Sequence, residues 1–436
     1  MKKAHQLGHE MHHLCRDLFP ICRSLAGPGF RQSLDILKQI LPDLCVHSIP
    51  TGTTCFDWTI PKEWHIQDAY IITPAGHKIC SFKQSNLHVV GYSIPVNQSI
   101  SLADLQQHLY SLPEQPAAIP YITSYYKESW GFCITHAERE TLQEGTYQVV
   151  IDSSLQDGVL NYGELIIPGE SKEEIFLSSY LCHPSMANNE LSGPVVATYL
   201  AKWIASLPHR HYTYRVVIIP ETIGSIAYLS TCHEQLKQHV IAGFNLSCMG
   251  DDRSYSYLPS RKENTLADKA ALHVLKHHHP DYKSYSYLDR GSDERQYCSP
   301  GIDLPVCSVM RTKYGEYPEY HTSLDDLGLV TPSGLAGSYE VMQKVIKALE
   351  HNEILQAVLP CEPQLGKRGL YALISTKESG ALVANQMNLL AYCDGTMDLI
   401  DIANKIKVPI HELTDIIQKL KDHQLIKSTR YDAYTS

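Results

Sequence analysis

The chain is organised around one segment, Tyr180-Leu-Cys-His-Pro-Ser-Met-Ala-Asn-Asn-Glu-Leu-Ser-Gly193. The apolar run that leads into it, Ile175-Phe-Leu-Ser-Ser-Tyr-Leu181, predicts a buried strand, and the apolar residues from Gly193 to Ile204 predict the helix that follows. His183 is therefore expected at the carboxyl end of a strand. In an open α/β sheet, ligands and catalytic groups collect at that edge.

Strands and helices alternate after this segment up to about His351. In order, the sequence predicts a strand at 214–219, a helix at 225–240, a strand at 241–246, a helix at 264–279, a strand at 305–310 and a helix at 334–351. This alternation predicts the α/β class, a three-layer core with helices on both faces of a sheet. We assign residues 169–355 to this core, and residues 1–56, whose apolar positions have helical spacing, to its N-terminal helical part.

Residues 57–168 have a different pattern, with short apolar runs separated by Pro and Gly. Four of these runs, at 69–72, 87–90, 147–151 and 163–167, predict strands, so we interpret 57–168 as an inserted β-rich domain. Within it, the segment 123–133 groups four aromatic residues around a glycine. A structural cluster at the domain junction is the favoured interpretation, and a wall of a substrate pocket is the alternative.

Residues 360–436 predict three helices and a short wing, the order of a winged helix-turn-helix domain. From residue 381 onwards the chain has six Lys or Arg and seven Asp or Glu. A DNA-binding domain is expected to have a basic surface, so DNA is an unlikely partner. We expect this domain to bind a protein partner or to pack within the chain.

Composition excludes several classes of protein. The net charge of -10 argues against a chain that holds nucleic acid over most of its surface. The first ten residues lack the apolar run of a signal peptide, and no stretch approaches the roughly 20 apolar residues of a membrane span. The 13 cysteines include no C-x-x-C pair, which argues against a disulfide framework or a zinc knuckle. These features predict a cytoplasmic protein.

Polar residues follow the predicted strands at positions where their side chains can meet. His183 and Glu221 each come directly after a strand, Asp293 lies in a turn that contains glycine, and His321 lies in a loop rich in Tyr and Pro. Two imidazoles and a carboxylate form a metal site with an open position, which lowers the pKa of a bound water towards about 7. A further carboxylate can then move a proton from that water to a leaving amine.

Other polar residues near these positions are candidates for binding a substrate. Arg290 and Arg295 can hold a carboxylate, and Tyr297 and Tyr320 can donate to an oxyanion. Ion pairing of the arginines and packing of the tyrosines are the alternatives. Three acids that flank His321, Glu319, Asp325 and Asp326, are candidates for orienting its ring, or are solvated loop charges.

Taken together, four segments resemble the bacterial aminopeptidase-like proteins of largely unknown function, which are distant relatives of the zinc aminopeptidases of peptidase family 28 and of glutaminyl cyclases. The segments are the one quoted above, Pro220-Glu-Thr-Ile-Gly-Ser225, Arg290-Gly-Ser-Asp-Glu-Arg-Gln-Tyr297 and Tyr317-Pro-Glu-Tyr-His-Thr-Ser-Leu-Asp-Asp326. The resemblance covers nearly the whole chain, including the β-rich insertion and the winged helix. It implies a zinc-peptidase-like sheet core.

The resemblance also implies roles for individual residues. His183 and His321 correspond to metal-binding histidines, and Glu221 corresponds to the general base. Asp293 corresponds to an acidic residue of the site, which we assign to catalysis beside Glu221 or, as the alternative to Asn189, to completing the metal site. The metal-binding aspartate of the family's Asp-x-x-Ser-Gly pattern corresponds to Asn189.

This sequence departs from the family's pattern in its carboxylates. Thr222 and Ser247 stand where the pattern has two further acids, so at most one zinc ion is implied. Asn189 still offers a carbonyl oxygen, but a neutral amide lacks the charge attraction of a carboxylate, which weakens metal binding. Glu190 could substitute for the lost aspartate, although on a regular backbone its side chain would point elsewhere.

Two hypotheses follow for function. The first is a zinc-dependent, aminopeptidase-like hydrolase that cleaves an amide bond in a small peptide or another amide-containing substrate. The alternative is a catalytically lapsed aminopeptidase-like scaffold that acts as a binding or regulatory protein through its winged helix. The sequence leaves the oligomeric state open.

Overall fold

The computed structural model describes residues 2–125, 127–370 and 377–429. Tyr126, one of the four aromatics of segment 123–133, and residues 430–436 of the predicted winged helix lie outside the described residues. The helices are α1 (Lys2–Leu18), α2 (Pro28–Ile40), α3 (Leu102–Leu105), α4 (His136–Arg139), α5 (Ser192–Ser206), α6 (Ile223–His239), α7 (Leu266–His278), α8 (Glu294–Tyr297), α9 (Pro332–His351), α10 (Lys377–Ala391), α11 (Leu399–Ile406) and α12 (Ile410–Asp422). None of these helices is both long enough and apolar enough to cross a membrane.

The strands form one large sheet and several small ones. In chain order they are β1 (Cys45–Pro50), β2 (Thr54–Cys55), β3 (Trp58–Thr59), β4 (Glu63–Ile72), β5 (Lys78–Ile79), β6 (Val96–Ser101), β7 (Leu109–Tyr110), β8 (Phe132–Cys133), β9 (Thr146–Gln156), β10 (Val159–Ile167), β11 (Glu174–Tyr180), β12 (Thr213–Ile219), β13 (Val240–Asn245), β14 (Ser256–Leu258), β15 (Lys283–Ser284), β16 (Val306–Met310), β17 (Ile354–Ala357), β18 (Asp394–Asp398) and β19 (Ile426–Thr429).

The large sheet has eight strands in the order β1-β10-β12-β11-β13-β16-β14-β15. Its four central strands, β12, β11, β13 and β16, are parallel to one another. After β11 the chain forms β12 on one side of it and then β13 on the other side. The carboxyl end of β11 is therefore a topological switch point, where open α/β sheets bind ligands. This architecture confirms the predicted α/β class.

Strand β11 has the sequence of a strand at the centre of a parallel sheet. All seven of its residues are buried, which explains its continuous apolar run. The loop that follows it leads into α5, whose second residue is Gly193. A Cβ at Gly193 would lie 2.2 Å from the carbonyl oxygen of Leu246, so only glycine lets α5 start this close to the end of β13.

The β-rich insertion is built on a four-stranded antiparallel sheet in the order β5-β4-β9-β6. Two predictions in this region were wrong. Residues 87–90 do not form a strand, since Asn86–His88 is a 3₁₀ turn in which Nδ1 of His88 is hydrogen bonded to the carbonyl oxygen of Cys133. Residues 163–167 do form a strand, but they belong to β10, which pairs with β1 and β12 in the large sheet.

The described residues of Lys262–Tyr282 and Glu340–Ser436 form a second compact unit, which we call the C-terminal unit. It contains the sheet β18-β17-β19 and helices α10, α11 and α12. The predicted winged helix is confirmed. Helix α7, which the alternation pattern placed in the α/β core, belongs to this unit instead. Its Lys269 pairs with Asp398 at the end of β18 at 3.2 Å and with Asp401 of α11 at 2.5 Å.

His273 of α7 is a buried link within the C-terminal unit. Its Nδ1 lies 2.7 Å from Oδ1 of Asn404, and its Nε2 accepts a hydrogen bond of 3.0 Å from the amide of Ile410. Because Nε2 is an acceptor, the bonded ring must be neutral. Burial lowers the pKa of His273 to about 4, with His277 and His411 adding to the effect.

We predict that acid destabilises the C-terminal unit through His273. Its pKa is about 6.5 in an unfolded chain and about 4 in the folded unit, so the unfolded state takes up a proton first as the pH falls. Neutral His273 contributes about 3 kcal/mol to the free energy of unfolding of this unit; the contribution is present above pH 6.5 and is lost between pH 6.5 and 4. Hydrogen exchange of peptides from α7 and α12, corrected for intrinsic rates, measures this loss. The loss of stability on acidification should be smaller in His273→Gln, which retains a donor and an acceptor. It should be unchanged in the exposed control His423→Gln.

Candidate metal and catalytic site

Three of the predicted site residues meet at the carboxyl edge of the large sheet. His183 follows β11 and Glu221 follows the adjacent strand β12. Nε2 of His183 lies 3.7 Å from Oε2 of Glu221, and the ring centres of His183 and His321 are 5.5 Å apart. The structure therefore brings these side chains together across more than a hundred residues of sequence.

Glu190 determines how the imidazole of His183 is oriented. Its Oε1 accepts a hydrogen bond of 2.7 Å from the His183 amide, and its Oε2 lies 2.6 Å from Nδ1 of the same residue. The expectation that Glu190 points away from the site was wrong. The backbone between them is irregular, with φ of +33° at Ser185, and it folds Glu190 back onto His183.

This contact also sets the charge of the site. Burial alone would lower the pKa of His183, but Tyr121 and Glu190 outweigh burial and hold that pKa well above its ordinary value. The side of the ring that faces Glu221 carries Nε2. The surroundings therefore favour a positive charge on this imidazole or beside it, whether a proton or a metal ion supplies that charge.

Asn189 is held in place by the carboxylate of Asp325. The amides of Asn188 and Asn189 donate to the two Asp325 oxygens at 2.6 and 2.9 Å. The Asn189 side chain donates through Nδ2 to the hydroxyl of Tyr180, 2.9 Å away. Its Oδ1 is buried and has no hydrogen-bond partner among the described residues. An orphaned buried carbonyl of this kind calls for a ligand to satisfy it.

His321 has a second buried atom without a partner. Its backbone adopts φ of +57°, a strained conformation, and the ring of Tyr320 stacks on its imidazole at 3.9 Å. Nε2 of His321 is buried and unpartnered within the described part of the chain. Burial and the nearby His183 lower the pKa of His321 to about 3, so the ring is neutral at pH 7 and can offer a lone pair to a metal ion.

The separation of the two imidazoles is compatible with both rings binding one zinc ion. Zinc is bound at about 2.0–2.2 Å in tetrahedral geometry, which places the centres of two imidazole ligands about 5 Å apart. The observed 5.5 Å between His183 and His321 is close to that separation. The three candidate donor atoms are Nε2 of each histidine and Oδ1 of Asn189, and this set leaves a position for water.

A second set of potential ligands lies on the opposite side of the His183 ring. Sγ of Cys182, Nδ1 of His183 and a Glu190 oxygen lie within 4.8 Å of one another. Burial raises the pKa of Cys182 to about 12, which keeps it a thiol, and its sulfur already accepts the amide of Glu221. Because Glu190 also occupies Nδ1, we favour the Nε2 side as the metal-binding side.

The general-base candidate Glu221 is held by a turn behind it. Oε1 of Glu221 accepts a hydrogen bond of 2.9 Å from the hydroxyl of Ser292, and burial raises the pKa of Glu221. The next residue, Thr222, has φ of +64°, and its amide donates to Oδ1 of Asp293 at 2.8 Å. Asp293 also accepts from Ser225, and burial together with Glu221 raises its pKa to about 8. Asp293 thus stabilises the turn that presents Glu221.

A cavity of about 260 Å³ opens onto His183, Glu221 and His321. Its opposite wall comes from the insertion and includes Trp64, Tyr92, Tyr121, Thr123 and Tyr125. The insertion is anchored here because the amide of Tyr121 donates to the carbonyl oxygen of His321 at 2.9 Å. In segment 123–133, Thr123 and Tyr125 line the cavity, while Trp130 stacks on His108 of the same insertion at 3.6 Å, so the choice between the two interpretations stays a prediction.

The four residues proposed from the sequence to bind substrate do not line this cavity. Arg290 is exposed and lies over the ring of Tyr287, and Arg295 donates to the hydroxyl of Thr222. The hydroxyl of Tyr297 is hydrogen bonded to Ser178 in the core, and Tyr320 stacks on His321. The surroundings of the two tyrosines correspond to the packing alternative, whereas neither arginine forms an ion pair among the described residues.

The acids that flank His321 do not contact its ring. Glu319 forms an ion pair of 2.7 Å with Arg253, and Asp326 accepts from the amide of Gly328. Asp325 supports Asn189, as described above. Burial raises the pKa of Asp325 to about 6, although three backbone amides donate to this residue.

Three residues of the site have no clear signal in the sequence. Arg23 follows α1 and reaches the cavity from the N-terminal part of the chain, Tyr121 comes from the insertion, and Ser292 precedes Asp293. Ser292 lies in a segment that the family resemblance singled out. Arg23 and Tyr121 lie far from every motif, so only the folded chain brings them to the site.

The comparisons with known proteins agree with this architecture. Residues 12–352 match the family described as "Domain of unknown function (DUF4910)", and residues 353–428 match a winged helix-turn-helix family. A Clostridium acetobutylicum protein is 42% identical over 429 residues, covering 98% of each chain. It carries the provisional name of polysaccharide biosynthesis protein with aminopeptidase-like domain.

Two solved structures are also similar. One is a provisionally assigned peptidase from Clostridium acetobutylicum, 40% identical, with a TM-score of 0.92 and 98% of each chain covered. The other is a zinc aminopeptidase from Bacillus subtilis, 13% identical, with a TM-score of 0.56, covering 78% of this chain and 94% of that one. The predicted resemblance to aminopeptidase-like proteins is confirmed, and the second structure shows the shared fold.

We predict that Glu190→Gln weakens zinc binding. Without the carboxylate at Nδ1, the His183 ring loses its fixed orientation and part of its basicity, and such partners typically change metal affinity by about 10–100-fold. Competition against a chromophoric chelator measures the affinity. Glu174→Gln is the matched control, because it removes a buried carboxylate at the other end of β11, where Glu174 pairs with Arg215. Equal affinities in both variants would contradict the role of Glu190.

Proposed function

The chain belongs to the family described as domain of unknown function DUF4910, and on that premise we propose that it is a hydrolase with a single zinc ion that cleaves an amide bond. Under this proposal His183, Asn189 and His321 hold the ion, and Glu221 is the general base. The observation that supports it best is a pair of buried atoms without a hydrogen-bond partner among the described residues, Nε2 of His321, which lines the cavity, and Oδ1 of Asn189, which lies on the loop of His183 and does not line it.

The roles of the residues follow from their positions. When bound, zinc supplies a Lewis acid that polarises the carbonyl of the substrate and lowers the pKa of a coordinated water towards about 7. Glu221 faces Nε2 of His183 across 3.7 Å and can accept the proton of the attacking water. Its raised pKa then suits it to return that proton to the leaving amine.

The surrounding residues position Glu221 and exclude bulk water. Ser292 donates to Oε1 and leaves Oε2 facing the metal side. Tyr121 packs against both imidazoles, with ring centres 4.8 Å from His183 and 5.3 Å from His321. A closed, partly apolar wall strengthens the electrostatic interactions inside the cavity.

The size of the cavity favours a small substrate. Its volume of about 260 Å³ is below the roughly 300–1,000 Å³ of pockets that hold drug-sized ligands. A small peptide or another small amide fits this space better than a polymer does. Because the relative's name refers to polysaccharide biosynthesis, N-acetylated monosaccharides, whose N-acyl bond is also an amide, belong beside aminoacyl amides in a substrate screen.

One set of residues favours a second candidate, a scaffold that has lost catalysis. Asn189, Thr222 and Ser247 are neutral at positions where the aminopeptidase pattern has acids. In this case the C-terminal unit would bind a protein partner, consistent with the mixed charge of α12. The variants described below distinguish the two candidates.

We also propose a cytoplasmic location. All 13 cysteines are unpaired in the described residues, and eight of them have raised pKa values because they are buried. Unpaired cysteines in this number fit a reducing compartment better than an oxidising one.

We expect Glu221→Gln to abolish turnover while zinc binding persists. The amide cannot accept a proton, and loss of a general base lowers the rate by about 10²–10⁴-fold. Zinc content by mass spectrometry and turnover of the amide panel are measured on the same preparations. Glu319→Gln is the control, since Glu319 pairs with Arg253 and does not line the cavity. Turnover retained in Glu221→Gln would remove Glu221 from the mechanism.

We expect Asn189→Asp to raise zinc affinity by roughly tenfold, because a carboxylate adds charge attraction at the same position. The wild type should contain one zinc ion per chain after purification without chelator, and His183→Ala should contain none. If neither the wild type nor Asn189→Asp takes up zinc at neutral pH, the hydrolase proposal fails. The scaffold then becomes the better account.

A further inference from the structure

Arg23 is a buried charge in the wall of the catalytic cavity. Its side chain is 1% exposed, and it lines the same cavity as His183, Glu221 and His321. Nε donates to the carbonyl oxygen of His183 at 3.0 Å, and Nη1 donates to the carbonyl oxygen of Leu18 at 2.6 Å. Nη2 is buried and has no hydrogen-bond partner among the described residues.

No carboxylate neutralises this guanidinium directly. None of the ion pairs among the described residues includes Arg23, and its nearest acidic influence is Glu190. Oε1 of Glu190 accepts from the amide of His183, whereas its Oε2 lies 2.6 Å from Nδ1 of His183 and has no hydrogen bond among the described residues. Oε1 of Glu221 accepts from Ser292. A buried cation without a paired anion is unfavourable unless a ligand supplies the opposite charge.

A purely structural role does not account for the whole guanidinium. Two neutral carbonyl oxygens bind Nε and Nη1, which is enough to tie the N-terminal segment to the His183 loop. These contacts bring no negative charge and do not use Nη2. The part of Arg23 that remains unsatisfied is therefore the part suited to an anion, for which arginine offers two parallel donors.

We propose that Arg23 is a specificity residue that binds a carboxylate of the substrate. This inference rests on the proposed function and narrows it to amides that carry a negative charge near the bond to be cleaved. Nε donates to the carbonyl oxygen of His183, so the guanidinium lies beside the residue that carries the imidazole. The carboxylate and the amide must therefore be close together in one small molecule, as in an N-acylated amino acid or a dipeptide.

The rest of the wall fits such a molecule. Trp64, Tyr92 and Tyr125 present rings to the cavity, and these can cover the apolar part of an acyl group or a side chain. Asn86 also lines the cavity, and its Oδ1 is buried and unpartnered within the described residues. An amide N–H of the ligand could satisfy that oxygen.

The test compares two ligands of nearly equal shape that differ in charge. Isothermal titration calorimetry measures binding of N-acetylglycine, a carboxylate, and of N-acetylglycinamide, its neutral amide, to the full chain with and without zinc. We expect the wild type to prefer the carboxylate by about tenfold or more, as for other charge-assisted hydrogen bonds. The preference should remain in zinc-free protein, which separates Arg23 from carboxylate binding by the metal.

Two variants assign this preference to Arg23. Arg23→Gln should bind both ligands equally, with the affinity for the neutral amide changed less than about twofold, and Arg23→Lys should keep part of the preference. Thermal unfolding checks that each variant folds. If a variant does not fold, the comparison of the two ligands on the wild type still tests the inference. No preference in the wild type, a preference that depends on zinc, or one that survives in Arg23→Gln would overturn the inference. Because the experiment measures binding, it tests the role of Arg23 even if the protein turns over no amide.

Discussion

The contact between Glu190 and Nδ1 of His183 is the interaction on which the site depends. It fixes the ring at the end of β11, so that Nε2 faces Glu221. The same loop carries Asn189, whose position is set by hydrogen bonds to Asp325. One irregular segment joins strand β11 to helix α5. It therefore places both Asn189, a candidate metal ligand, and Glu190, which orients the candidate ligand His183.

Backbone strain is concentrated around this segment. Four residues near the site, Ser185, Thr222, Cys248 and His321, have positive φ although none is glycine. Each such conformation is disfavoured by about 1–3 kcal/mol and persists only where the surrounding structure requires it. At Thr222 the requirement is visible, since Asp293 holds its amide. Strained backbone of this kind clusters at functional sites, where it holds side chains in a required arrangement.

The sequence predicted the regular elements well, because their signals are local. The apolar run of β11 and the helix that begins near Gly193 were both recognisable from residue pattern alone. The direction of Glu190 was not, since it depends on an irregular backbone that no periodicity describes. Arg23 and Tyr121 were missed for a different reason, because contacts between distant segments bring them to the cavity. The strand β10 was assigned to the wrong sheet, since a run of apolar residues does not identify its pairing partner.

The neutral residue at position 189 has a consequence for chemistry. Relative to the family's pattern, the carboxylate has left the candidate ligand position, Asn189, and an acid at the next residue lies behind His183. Two imidazoles and an amide are all neutral, so they would leave the charge of a zinc ion undiminished. Sites with three neutral ligands are strong Lewis acids, in which a bound water ionises near pH 7. Asn189 would thus weaken affinity for the metal without removing its power to polarise. The carboxylates of Glu190 and Glu221 lie beside His183 and would offset part of the positive charge, so the proposed preference for an anionic substrate depends on Arg23 rather than on the metal.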